Sequence, residues 1–588
     1  MKTKQFADSI TSLVRKIKPS RSVRRKALRG LIIESLETRL PLAFDVQMIK
    51  DINTERPGSF PLQPVQVGTN LFFEASTQAT GFELWKSDGT ASGTVMVKDI
   101  RPGAPQSRLS YALTNVNGTL FFRADDGIHG YELWKSDGTS AGTVMVKDIQ
   151  GGALGSDVSR LTNVNGVLYF VANDGTNGFE LWKSDGTASG TVMVKNIRPG
   201  SADSMARTTS TLFNSNGTLF FTANDGTHGL ELWKSDGTAS GTLLVKDIQP
   251  GLNDSGPRDL INVGDTLYFG ANDGTSGYEL WKSNGTLAGT VLVKDIRSGV
   301  GNSSPRSFTQ VGGTLFFVAN DDINGIELWK SDGTSAGTTI VKNIAPSNLG
   351  SLPVYLTNVN GTLYFRANDS THGRELWKSD GTDAGTVMVK DVWSGLPSSD
   401  INWLTNVGGT LYFRANDGSS GTELWKSDGT SSGTVMVEDI WPGSTDSLSG
   451  PFPTFQNFNG TLFFSANDGV HGEELWRSDG TADGTFLVKD IQSGTNGAAP
   501  TSLTSINGIS LFRANGLFGE ELWRSDGTAD GTFMVKDIRP GSVSSSPSLF
   551  TNVNGTLFFR ANDGTSGYEL WKSDGTAGGT VMVKDIRT

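Results

Sequence analysis

The residues of this chain that could do chemistry are its acids, tryptophans and histidines, and each type recurs at a fixed interval. Glutamate opens an ELW triplet at Glu83, Glu132, Glu180, Glu231, Glu279, Glu327, Glu375, Glu423, Glu474, Glu521 and Glu569. Five residues on, an SDGT turn carries Asp88, Asp137 and their equivalents, with Asn284 as the exception, and ANDG turns add acids such as Asp174, Asp225 and Asp417. Ser, Asp, Gly and Thr in that order close Asx-type turns on their own backbone, and Asn284 can make the same bond. Oxygen-rich loops make calcium a rival reading. No EF-hand spacing or GGxGxDxUx repeat appears, so no metal ligand and no cofactor is assigned. The histidines, His129, His228, His372 and His471, precede the glycine of DGxHG, where other copies have Asn177, Ser276, Asn324, Ser420 and Ser566. A position that accepts His, Asn or Ser reads as an exposed turn tip, and a Ser/His/Asp triad has no anchor. The chain has no cysteine, which excludes disulfides and thiolate chemistry. No catalytic residue is assigned.

Departures from the pattern carry the individual information. Trp393 and Trp441 follow VKDV and VEDI, where other copies have residues such as Arg101, Gln150 and Arg198, and Trp403 falls in the connector between them. Aromatic side chains on loops can stack on sugar rings or anchor a protein, so these three are the candidate ligand-binding residues. Asp383, Asp483 and Asp530 are acids where Ser or Ala is usual. They are the first place to look for the pair of carboxylates, about 5–9 Å apart, that a glycosidase needs.

The elements that must position these residues are strands. The ELW triplets lie 47 to 51 residues apart, a period that signals a solenoid, propeller or array. Within the copy from Leu161 to Ile197, LTNV meets VLYFVAN across Asn165-Gly166, the strongest short hairpin signal. NDGTNG then leads to FELWKS, and SDGTASG leads to TVMVKNI. Alternation within each run predicts four antiparallel strands per unit, and glycines interrupt any helical period. Tight Asn-Gly hairpins oppose a parallel solenoid. The expected fold is all-β, a propeller-like array of eleven four-stranded antiparallel blades. A single large ring, two abutting rings and an open superhelix all satisfy the sequence. Val46 to Ile52 (VQMIKDI) copies the strand that ends the chain and could latch a ring. The eleven tryptophans of ELW occupy one repeat position, which is what packing between like blades requires.

Residues 1–43 hold eleven basic and three acidic side chains, a net of +8, which leaves −19 on residues 44–588 out of the formal −11. An acidic body repels phosphate backbones and disfavours nucleic acid as a partner. No apolar run of 18 residues exists, so no transmembrane helix is expected. The leader is a poor match to an ordinary signal peptide, because Glu34, Glu37 and Arg39 break its apolar part. The string ESLETRLPLA (Glu34 to Ala43) resembles the LEPR-XLL motif of large exported bacterial proteins, with Thr38 in the place of proline. The resemblance implies export and removal of the leader near Ala43.

The array over residues 46–588 resembles the ELWxxDGT repeat family of large secreted bacterial proteins, with ELW in all eleven copies and the DG in ten. That resemblance implies a propeller-like repeat protein without an established activity. The expected organisation is a basic leader over 1–43 and eleven repeats over 44–588. The expected role is a non-catalytic exported scaffold, secreted or at a bacterial cell surface, for adhesion, surface structure or binding of a protein or glycan. The alternative is a polysaccharide-acting hydrolase or lyase on a propeller face.

Overall fold

The computed structural model describes residues 58–586, apart from 78, 104–106, 108, 110–112, 208–209 and 450–454. Among the described residues there are forty-four strands and no helix. They form eleven separate sheets of four, each made from strands consecutive in sequence. Blade three shows how the turns set this up. Its first strand, Ser159–Val164, returns as Val167–Asn173 with Val164 opposite Val167. Asn165 and Gly166 between them take φ of 51° and 82°, the left-handed pair that a two-residue hairpin requires. Phe179–Ser184 and Val192–Lys195 complete the antiparallel sheet.

First strands of neighbouring blades lie side by side, so they are the inner strands and line the central opening. The inner strand of blade one, Leu62–Val67, lies beside that of blade eleven, Ser548–Val553. Leu71, Phe73 and Trp85 of blade one share a buried cluster with Val553, Phe558, Leu570 and Val583 of blade eleven. The array is one closed eleven-bladed propeller. Two abutting rings and an open superhelix are excluded. The copy at Val46 to Ile52, expected as a latch, lies outside the described residues. The terminal strand Val581–Lys584 pairs within its own blade.

The core is a set of like junctions. Trp329 of blade six is buried against Val263, Tyr268, Leu280, Val293 and Ile296 of blade five. The Lys294 ammonium sits 5.9 Å from its ring centroid and donates to the Thr338 carbonyl at 2.8 Å. All eleven ELW tryptophans are buried in this way, so the array stands on nearest-neighbour interfaces.

Candidate functional site

Repetition of the acids has a structural purpose. Every ELW glutamate is fully buried. The Glu279 carboxylate accepts backbone N–H bonds from Ile296 and Ser303 at 3.0 and 2.9 Å, and the Ser303 hydroxyl at 2.6 Å. The Ser303 carbonyl in turn accepts the Asn320 N–H of the next blade at 2.9 Å. Glutamate, connector serine and next blade thus form one clasp. Burial raises these carboxyls, to about 8 at Glu83 and Glu423 and about 7 at Glu279, while the donors pull the other way. At the closing junction Ser59 replaces the connector serine. Its N–H and hydroxyl donate to Glu569 at 2.8 and 2.5 Å, and its carbonyl accepts Ser76 N–H at 2.7 Å. The role of the glutamate and of the connector serine is not readable in the sequence, because the partners lie in different elements. The only signal was that both recur.

The turn acids are engaged as well. Asp88 accepts the Thr90 N–H and hydroxyl at 2.8 and 2.7 Å, and those bonds hold its carboxyl below the usual range. Asn284 closes the same turn with Thr286. Among the described residues no group of three or more Asp, Glu or His side chains is gathered where a metal could sit. The histidines are not exposed turn tips, which corrects the expectation for that position. His129 is partly buried with Nδ1 at 2.6 Å from Asp126 Oδ2, and that hydrogen bond raises its pKa. His228, His372 and His471 repeat the contact. Asn177 does the same work, donating to Asp174 at 2.6 Å, and it also accepts from Asn196 at 2.6 Å. Asn324 and Asn343 repeat that pair. Blades with His at the loop have Asp at the place of Asn196, so the loop residue is matched to a partner nineteen residues on.

Asp383, Asp483 and Asp530 are exposed in the third turns of blades seven, nine and ten. Asp383 pairs with Lys342 at 3.3 Å rather than with another acid. Trp393 and Trp441 occupy equivalent places on blades seven and eight, as expected, and are half-buried. Each indole lies against the turn glycine of the following blade. A Cβ at Gly418 or Gly469 would come within 2.2 or 2.3 Å of the indole nitrogen. Arg101 and Gln150 cover Gly127 and Gly175 in the same way. Trp403 is not a connector residue, which corrects that assignment. It lies in the inner strand Asn402–Val407 of blade eight.

Around Trp403 the chain builds a rim that the sequence did not reveal. Among the described residues the inner strands of eight blades carry a bulge, and the extra residue takes a positive φ of 51° to 60°. These residues are Gln63, Arg160, Asp259, Ser307, Tyr355, Trp403, Ser502 and Leu549. Most are exposed, Tyr355 at 48% and Leu549 at 43% among them. A left-handed conformation costs a residue with a side chain about 1 kcal/mol and costs glycine almost nothing. The chain has 74 glycines, yet none stands at this position in these blades. Side chains of every chemical type are held there against the backbone preference.

On blades seven and eight the rim residues are aromatic and backed by arginines. The Arg366 guanidinium lies 5.0 Å from the Tyr355 ring centroid, and that of Arg414 lies 4.4 Å from Trp403. Arg366 crosses the junction to donate to the Ile401 carbonyl at 3.0 Å and to Asn402 Oδ1 at 3.3 Å. Arg414 donates to the Leu448 carbonyl at 2.9 Å, and Phe455 meets the Trp403 ring edge-on at 5.4 Å. Burial pulls both guanidinium pKa values down.

No protein-family model matches the chain, and no curated protein matches it. Among solved structures, a puromycin hydrolase is similar at 15% identity and a TM-score of 0.26, covering 61% of this chain and 59% of that one. The chain thus spans about 59% of the length of that hydrolase. A Niastella koreensis GH74 enzyme is similar at 12% identity and a TM-score of 0.23, covering 90% and 93%. A prolyl endopeptidase is similar at 12% identity and a TM-score of 0.28, covering 69% and 60%. Likenesses at these scores carry no argument about activity.

Proposed function

We propose that the protein is a non-catalytic, exported scaffold of the ELWxxDGT repeat type that binds a protein or glycan through the rim of its central opening. The observation that carries this reading is the bulge position. There the eleven-fold pattern gives way to Gln, Arg, Asp, Ser, Tyr, Trp and Leu, each in a left-handed conformation that glycine would take more easily. Variable side chains on a rigid repeated frame suit recognition, since the frame fixes position and the variation sets specificity. The repeated acids, by contrast, are engaged in clasps and turns. Export to the bacterial cell surface or beyond rests on the leader motif.

The test replaces Arg160, Asp259, Tyr355, Trp403 and Leu549 together by serine, the residue already found at this place in blades six and ten. Parent and variant are compared on a glycan array and in a reducing-sugar assay on whatever binds. Binding that the variant loses, with no sugar released by the parent, is the expected result. Ligands that bind both chains equally, or steady turnover by the parent, would overturn the reading.

A further inference from the structure

Five residues on blades seven and eight run together at the rim. Tyr355 stacks on Arg366, Arg366 reaches Asn402, and Asn402 neighbours Trp403, which stacks on Arg414. The two aromatic residues are equivalent bulge positions on adjacent blades. Tyr355 is about half exposed while its guanidinium partner lies partly buried behind it. Arg366 has no carboxylate within salt-bridge distance among the described residues. Its bonds go to a carbonyl and a carboxamide.

A cation held on one face of an aromatic ring draws on the ring's negative face. The opposite face is thereby better suited to a ligand that carries negative charge than to one that carries positive charge. Planar aromatic faces also suit the flat apolar face of a sugar ring, and two of them on adjacent blades suit a chain of such rings. Asp400 acts electrostatically on both arginines and Asp446 on Arg414, while Arg374 repels Arg366. The local balance of Arg366, Arg374 and Arg414 against these two acids is positive, on a body whose net charge is −19 over residues 44–588.

We infer that Tyr355, Arg366, Trp403 and Arg414 form a binding subsite for an acidic oligosaccharide, with sugar rings against the two aromatic side chains and their carboxylates favoured by the positive potential of the guanidinium groups behind those rings. The inference rests on the rim as the binding surface and names its ligand on two blades.

The experiment uses the full chain and titrates a hexamer of galacturonic acid by calorimetry, with a neutral galactose hexamer and hexaglutamate as the other arms. The uronate should bind at least tenfold more tightly than either. Y355S and W403S, which copy Ser307 and Ser502 of sibling blades, should each weaken it about fivefold or more. R366V, which copies Val318 of blade six, should reduce the preference over the neutral hexamer to less than threefold. L287A, which copies Ala188 of blade three in an exposed third turn outside the rim position, should leave binding unchanged. Equal binding of acidic and neutral sugars, preference for hexaglutamate, or indifference to Y355S, W403S and R366V overturns the subsite. If the uronate fails while another ligand is lost with the serine rim, the subsite falls and the rim reading stands. Unchanged unfolding midpoints for the variants keep the comparison clean.

Discussion

Replacing Trp329 by alanine tests the junction that is repeated around the ring. Trp329 is 4% exposed, and its indole fills the space between blade six and the Val263, Tyr268, Leu280, Val293 and Ile296 cluster of blade five. Its Nε1 has no hydrogen-bond partner among the described residues, so truncation orphans no polar group there and the loss is one of packing. Large-to-small changes at buried aromatics cost about 3–5 kcal/mol. Loss of the Lys294 ammonium over the ring adds about 0.5–1 kcal/mol at a partly exposed site. A closed ring holds each blade from two sides, so opening one junction leaves ten others and the damage stays local. Urea unfolding followed by near-ultraviolet circular dichroism should show a lowered midpoint. Limited trypsin digestion should cut first at Lys294 or Arg297, in the segment that leads from blade five to blade six. Trp329→Phe should lose less than half as much. If W329A melted within 1 °C of the parent and gave the same digestion pattern, the tryptophans would not be the cement between blades.

Two further outcomes follow from the clasps and loops. The ring glutamates have folded pKa values of about 7 to 8 against an ordinary 4.5, so the folded chain keeps protons that the unfolded chain releases. Their contribution is fully present below pH 4.5 and is lost as pH rises through about 7. The raised histidines act in the same direction. The calorimetric Tm should therefore be lower at pH 8 than at pH 5.5, and a rising Tm over that range would contradict the buried-clasp geometry. The loop pair gives a double-mutant cycle. Asn196→Asp should destabilise blade three by about 1 kcal/mol, because Asn177 would then face two carboxylates, and adding Asn177→His should restore most of it. Additive effects in urea unfolding would show that the two positions do not communicate.

What the residues determined alone is everything that depends on near neighbours in the chain. The Asn165-Gly166 pair turns the hairpin because both residues accept positive φ, and the period of two in VLYFVAN sends Leu168, Phe170 and Ala172 to blade two and Tyr169 and Val171 to blade four. Eleven repeats of Glu-Leu-Trp predict eleven like interfaces, and Trp329 and its counterparts are buried in them. Tertiary structure decided the rest. Closure depends on Ser59 meeting Glu569, 510 residues apart, and on a rotation of about 33° per blade that small changes in packing would turn into a superhelix. No local pattern encodes that sum. Trp403 was legible as an exception but not as a rim residue, because its direction comes from a bulge, and a bulge is set by pairing with Arg414's strand rather than by the sequence around it. The glutamates were visible as a pattern yet silent as to purpose. The four donors to Glu279 come from just past the end of one strand and from the connector beyond it, groups that only the folded blade brings to one carboxylate.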